Sequence, residues 1–309
     1  MFKVKKLAAV GATVAALLLA GCGGGGDPLG QQNSAAPTAT EAGGPIVVGS
    51  ANFTESAIIA EIYSQALAAK GVESSTKLNI GSREVYIQAL QESSISVVPE
   101  YTGNLLDFVD KDTTAKSPEE VEAALPDALP EGLQVLKSST AVDQDVYVVS
   151  KQFSEQNGVT SIADLAKLTD GVTVAGFSEL EQRDYGPKGL TSVYGVKVKE
   201  FKPYDSAELM AEELNKGNID VADLFTTASA IGRNQLVQLE DPKQMILPQN
   251  VIPLVRSEVA QNATATAALD AVQAALTTED LIALNSKVDD DNQDPDQVAK
   301  EWLTSKGLA

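Results

Sequence analysis

The sequence predicts an α/β protein of two lobes with a ligand cleft between them. Short β-branched runs alternate with segments of helical apolar spacing, and the alternation comes in two successive blocks. Extended runs near Val142–Val149 and Val251–Val255 look like connections between the blocks, and the chain ends in a wholly helical stretch. About 260 residues follow a low-complexity N-terminal region, enough for two compact lobes.

Lys3, Lys5 and Lys6 precede an uncharged apolar run from Leu7 to Ala20. That run is shorter than the roughly 20 residues of a membrane span and fits a secretion signal. It leads into Leu19-Ala20-Gly21-Cys22, which holds the one cysteine of the chain. Leu-Ala-Gly-Cys here resembles the lipobox of bacterial lipoproteins, which implies a signal peptide over 1–21 and a lipidated Cys22. The expected location is the cell membrane, anchored by lipid and facing the extracytoplasmic side; the alternative is a plain secretion signal with a chance cysteine. Residues 22–45, rich in Gly, Ser, Ala, Thr and Pro, read as a flexible tether.

Composition removes several function classes. The formal net charge is −20, with no basic stripe to neutralise phosphates, so no nucleic-acid partner is expected. The chain has no histidine, which removes Ser-His-Asp and Cys-His nucleophile systems and the commonest zinc ligand. No cofactor is expected. Carboxylate-only chemistry survives, but a glycosidase would have only Trp302 to stack on sugar rings. Asp290, Asn292, Asp294 and Glu301 carry EF-hand spacing, yet Pro295 stands where that loop turns on glycine.

In chain order, Ile46–Ser50 reads as the first strand, and Thr54 as the cap of a helix carrying Ile58, Ile59, Ile62, Tyr63, Ala66 and Leu67. Lys70-Gly71 closes that helix. Thr76–Ile80 is a strand, Ser82–Gln91 a helix with Val85, Ala89 and Leu90 inward, and Ile95–Val98 a strand. Pro99–Gly103 then reads as a loop at a strand's C-terminal end, where open α/β sheets hold ligands. Ser117-Pro118-Glu119-Glu120 is a capping box with proline at the first helical position. In the second block, Ser161–Leu168, Gly186–Tyr194 and Asp205–Asn215 read as helices, and Gly171–Ala175, Lys197–Phe201 and Ile219–Phe225 as strands. Helices over Thr264–Leu276, Thr278–Val288 and from Asp294 complete the chain.

Val47–Ser56, Gly81-Ser82-Arg83-Glu84 and Val98-Pro99-Glu100-Tyr101-Thr102-Gly103 resemble the glycine betaine/choline/carnitine-binding lipoproteins of osmoprotectant ABC transporters. The similarity continues through Tyr194-Gly195, Gly217–Val221, Leu239-Glu240-Asp241 and Ile252–Val255. It implies the two-lobed type II periplasmic-binding-protein fold, with two connecting hinge strands. Lobe 1 is then discontinuous, 46–144 and 252–309, and lobe 2 spans 145–251. The implied protein is a substrate-binding partner of ABC permease subunits in the membrane, not an enzyme, whose ligand is a small quaternary-ammonium solute.

A quaternary ammonium has no N–H to donate, so aromatic faces must recognise it through the ring quadrupole. The resemblance makes Tyr101 one cage wall and points to Tyr147, Tyr204 and Phe225 for others. Tyr63, Tyr86 and Tyr194 sit inside helical patterns and read as packing. Arg183 lies near the family's carboxylate-binding arginine; the residues alone equally allow an ion pair with Glu179 on a helix. Asn52 and Asn104 are candidate polar contacts. Ala51, where relatives often carry lysine, weakens the expectation of a carboxylate on the ligand.

Overall fold

The computed structural model describes residues 44–309. The segments expected to be a signal peptide, a lipobox with Cys22 and most of a tether lie outside the described residues. Two five-stranded mixed sheets organise the rest. The first contains β1 (Ile46–Gly49), β2 (Ser74–Lys77), β3 (Val97–Tyr101), β4 (Leu133–Val135) and β10 (Val251–Arg256), in the order β2-β1-β3-β10-β4. The second contains β5 (Asp145–Val149), β6 (Val172–Gly176), β7 (Val198–Pro203), β8 (Val221–Phe225) and β9 (Val237–Gln238), in the order β7-β6-β8-β5-β9.

The two sheets share one pattern. β1 runs parallel to β2 and β3, while β10 is antiparallel to β3 and β4. Likewise β6 runs parallel to β7 and β8, while β5 is antiparallel to β8 and β9. The chain passes to the second sheet between β4 and β5 and returns between β9 and β10. The two crossing segments lie side by side: Val142 bridges Asn250, Asp143 N donates to Gln249 O at 3.1 Å, and Val251 N to Ala141 O at 3.1 Å.

Helices α1 (Thr54–Ala69), α2 (Arg83–Gln91), α3 (Thr102–Val109) and α4 (Pro118–Ala128) accompany the first sheet. Next come α5 (Lys151–Asn157), α6 (Ile162–Leu165), α7 (Pro187–Tyr194), α8 (Ala207–Lys216) and α9 (Ser229–Arg233) with the second. The chain then returns through α10 (Ser257–Ala260), α11 (Ala263–Ala275), α12 (Thr278–Asp289) and α13 (Pro295–Lys306). Helix α1 is apolar on most of its circumference because it lies between the first sheet and the C-terminal helices. Ile58, Ile59, Ile62, Tyr63 and Leu67 are buried with Val97, Leu269, Val272, Leu281 and Trp302 in one core. The Tyr63 hydroxyl, deep in that core, is satisfied by Gln273.

Several sequence expectations are corrected. Pro99–Gly103 is not a loop: β3 runs through Tyr101 and α3 begins at Thr102. Thr54 is the first helical residue of α1, not its cap, and its hydroxyl donates to Asp289 at 2.6 Å. Val85 is 47% exposed, whereas Arg83, Tyr86 and Ile87 face inward from α2. The slip arises because α2 buries charged Arg83, a residue that apolar spacing does not count. The strand expected over Thr76–Ile80 is β2, which stops at Lys77. The Ser117 capping box is present in full at α4. No helix among the described residues is long and apolar enough to cross a membrane.

Candidate ligand-binding site

Four aromatic residues stand at or just beyond the C-terminal ends of β1, β3, β6 and β8, the topologically matching strands of the two sheets. Phe53 follows β1, Tyr101 ends β3, Phe177 follows β6 and Phe225 ends β8. Their rings form a chain across the cleft. Phe53 lies 6.1 Å from Tyr101 and 5.2 Å from Phe225, and Phe225 stacks on Phe177 at 5.7 Å. All four line a cavity of about 60 Å³, together with Asn52, Arg83, Tyr86, Asn104, Asp143, Asp145, Arg183, Tyr185, Asp223 and Gln249. A wider pocket of about 500 Å³ shares Asn52, Phe53, Asp143, Phe177 and Phe225 with it.

The cavity draws on both sheets because polar contacts join them. Asn104 Nδ2, from α3, donates to Asp145 Oδ2 of β5 at 2.6 Å, and Gln249 Nε2 reaches the same oxygen at 3.0 Å. Glu55 of α1 accepts from Thr227 Oγ1 beyond β8 at 2.6 Å, and also from Tyr101 at 2.8 Å and Asn285 at 2.7 Å. Gly103 makes the approach possible: a Cβ there would lie 2.5 Å from Pro248 O and 2.7 Å from Leu247 Cβ.

Two arginines line the cavity, each against a carboxylate. Arg83 grips Glu100 in bidentate fashion at 2.7 and 2.9 Å, and Tyr86 and the Tyr101 amide complete that acid's shell at 2.7 and 2.9 Å. Arg183 donates to Glu84 across the cleft at 2.7 Å. The expected partner Glu179 is not used, since Ser178–Gln182 is a 3₁₀ turn and Arg183 leaves it extended. Partial burial alone would raise the Glu84 pKa; the hydrogen bond from Arg183 prevails and holds it at about 2. Burial pushes the Asp143 and Asp223 carboxyls well above the usual range, aided by Glu55 beside Asp143 and by Asp145 beside Asp223.

Of the residues singled out in the sequence, Tyr101, Phe225, Arg183, Asn52 and Asn104 come together on this cavity. Tyr147 and Tyr204 do not. Tyr147 is fully buried in the core of the second sheet, its hydroxyl donating to Tyr185 O at 2.8 Å. It alternates inward on a strand that is buried along its whole length, so its ring packs rather than lines. Tyr204 lies beyond β7 at the sheet edge and packs against the cluster around Met210 and Leu214. Tyr86, read as packing, contributes to the wall, and Phe53, Phe177, Tyr185, Arg83 and the three aspartates were missed. The signal that finds Phe53 and Phe177 is the one used for Tyr101, applied to every central strand end. Trp302 is 5% exposed and belongs to the core around α1.

Residues 44–305 match the family model described as the substrate binding domain of ABC-type glycine betaine transport systems. Glycine betaine-binding protein YehZ of Escherichia coli is 25% identical over 86% of this chain and 92% of its own. A glycine-betaine-binding protein of Pseudomonas aeruginosa is 28% identical over 84% and 88%. Among solved structures, a glycine betaine/carnitine/choline ABC transporter protein superposes with a TM-score of 0.69 at 20% identity, covering 85% of this chain and 99% of that one. A choline-binding protein in complex with choline superposes at 0.59 and 15% identity, over 85% and 89%. The fold is that of two-lobed periplasmic binding proteins, and the chain belongs to the family of substrate-binding domains of ABC-type glycine betaine transport systems.

Proposed function

We propose that this protein captures a small quaternary-ammonium solute between its lobes and delivers it to the membrane subunits of an ABC importer. Its role is binding and delivery, not chemistry on the solute. The observation that carries it is the convergence of Phe53, Tyr101, Phe177 and Phe225 from four matching strand ends onto one cavity. A cation without N–H donors is held by ring faces at roughly 0.5–2 kcal/mol per contact. The acids of the same wall favour a positive ligand. Asn52 is exposed at the cavity rim and available to a ligand hydroxyl or carboxylate, while Asn104 holds Asp145 in place.

On this reading the lobes are 46–144 with 252–309, and 145–251, and they close about the paired crossing segments. Cys22 anchors the protein by lipid at the extracytoplasmic membrane face. The deciding experiment is calorimetric titration with choline, glycine betaine, carnitine and proline betaine. Saturable binding of at least one is expected; heat from none of the four would sink the reading.

A further inference from the structure

The charges of the cavity are unevenly partnered. Arg83 spends two donors on Glu100, and Arg183 faces Glu84. Each cavity arginine therefore already holds a carboxylate of the protein. The buried acids of the wall, Asp143, Asp145 and Asp223, have no such counterpart, nor has Glu55 in the adjoining pocket: among the described residues, none of the four takes part in an ion pair. Glu55, Asp143 and Asp145 are held by neutral donors only, namely Tyr101, Thr226, Thr227, Asn104, Gln249 and Asn285. No donor reaches Oδ1 of Asp223, whose residue is 4% exposed and lines the cavity.

A buried acid without a cation is costly, and a bound cation removes that cost. A betaine brings a second group, a carboxylate, which wants an arginine or fixed N–H donors. Here it must displace Glu84 from Arg183 and stand beside the aspartates. The wider pocket adjoining the cavity adds Asp205 and Asp289, while its one arginine, Arg233, is already engaged with Glu208 and, at 2.7 Å, with Asp290.

Resting on the quaternary-ammonium reading above, we propose that the cavity selects solutes whose only charge is the ammonium, choline-type alcohols, over zwitterions bearing a carboxylate. Glu84 and Asp223 are its specificity-determining residues. Glu84 acts through Arg183 as a built-in substitute for a ligand carboxylate. Asp223 supplies the cavity carboxyl whose Oδ1 no protein donor reaches and whose ionised form a bound ammonium favours.

The test is calorimetry with choline and glycine betaine on the wild type, Glu84→Gln, Glu84→Asp and Asp223→Asn. Choline is expected to bind the wild type about tenfold tighter than glycine betaine, a preference set as much by rejection as by attraction. Glu84→Gln frees Arg183 and should shift the choline-to-betaine ratio about tenfold toward betaine, while Glu84→Asp restores most of the preference. Asp223→Asn should weaken choline more than betaine. Glu84 is half exposed and Asn is isosteric with Asp, so folding should survive in these variants. A wild type that prefers betaine, or a ratio unmoved by both Glu84→Gln and Asp223→Asn, overturns the selectivity proposal while leaving the binding reading intact. No heat from either ligand, nor from carnitine or proline betaine, overturns both.

Discussion

Tyr101 does two things at once. Its ring belongs to the aromatic chain across the cleft, and its hydroxyl donates to buried Glu55 at 2.8 Å. Tyr101→Ala removes both and should weaken trimethylammonium binding by about 1–2 kcal/mol; Tyr101→Phe keeps the ring and should cost less. Unchanged calorimetric affinity in Tyr101→Ala would remove the centre of the proposed wall. Tyr147→Phe is the contrasting case, since it loses only the bond to Tyr185 O. Solute affinity should stay the same while unfolding stability in urea falls by about 1 kcal/mol. The buried acids add a pH dependence. Asp143 and Asp223 hold protons above the ordinary carboxylate range, so the folded state binds more protons than the unfolded one there. Stability without ligand then falls as pH rises through that window. A cation favours the ionised acids and displaces those protons, so choline should bind more tightly at about pH 8 than at about pH 5. A flat pH profile would show that these acids do not feel the ligand.

At the scale of elements, the decisive join is α3 against the segment before β10. Gly103 allows it, because any side chain there meets the Pro248 carbonyl. Gly103→Ala should lower stability by about 1–3 kcal/mol, as overpacking does, and should also weaken solute binding because the same contact positions Asn104 against Asp145. Equal urea midpoints for mutant and wild type would show that the backbone accommodates the methyl. Ser117 offers an independent check remote from the cavity. Ser117→Ala removes the reciprocal capping box of α4 and should cost about 1 kcal/mol of stability with affinity unchanged. The capping box was legible because its residues are four neighbours in sequence. The start of α3 was not: its first turn, Thr102-Gly103-Asn104, carries turn-forming residues that read as loop. Contacts with residues about 146 positions away keep it in place, Thr102 Oγ1 donating to Pro248 O at 3.1 Å.

For the whole molecule, four polar contacts tie the two sides of the cleft: Thr227 to Glu55, Asn104 to Asp145, Arg183 to Glu84 and Ser229 to Asp290 at 3.0 Å. The paired crossing segments at 141–143 and 249–251 are where a hinge is expected, since they alone carry the chain from one sheet to the other among the described residues. Saturating solute should draw the lobes together and reduce the radius of gyration in solution scattering. Identical profiles with and without solute would count against hinge closure, or mean that the free form is already closed. The anchor is tested separately: Cys22→Ala should move the protein from the membrane fraction to the soluble one. Continued membrane association after a salt wash would refute lipidation as the attachment.

The sequence by itself determined the alternation of strands and helices, the two blocks and the helical end, because these are written in local periodicity and capping. It also determined which ligand chemistries were open, since a chain without histidine and with one cysteine lacks most catalytic and metal-binding sets. Tertiary structure alone decided which aromatics face the cleft. Tyr101 and Tyr147 both sit on buried strands, yet one ends its strand at the cavity and the other points into the core. Tertiary structure also decided that Arg183 is held by Glu84, 99 residues away, rather than by its neighbour Glu179. The physical reason is the same in each case: local pattern fixes conformation within a few residues, whereas the direction of a side chain and its charge partner are set by which surfaces pack together.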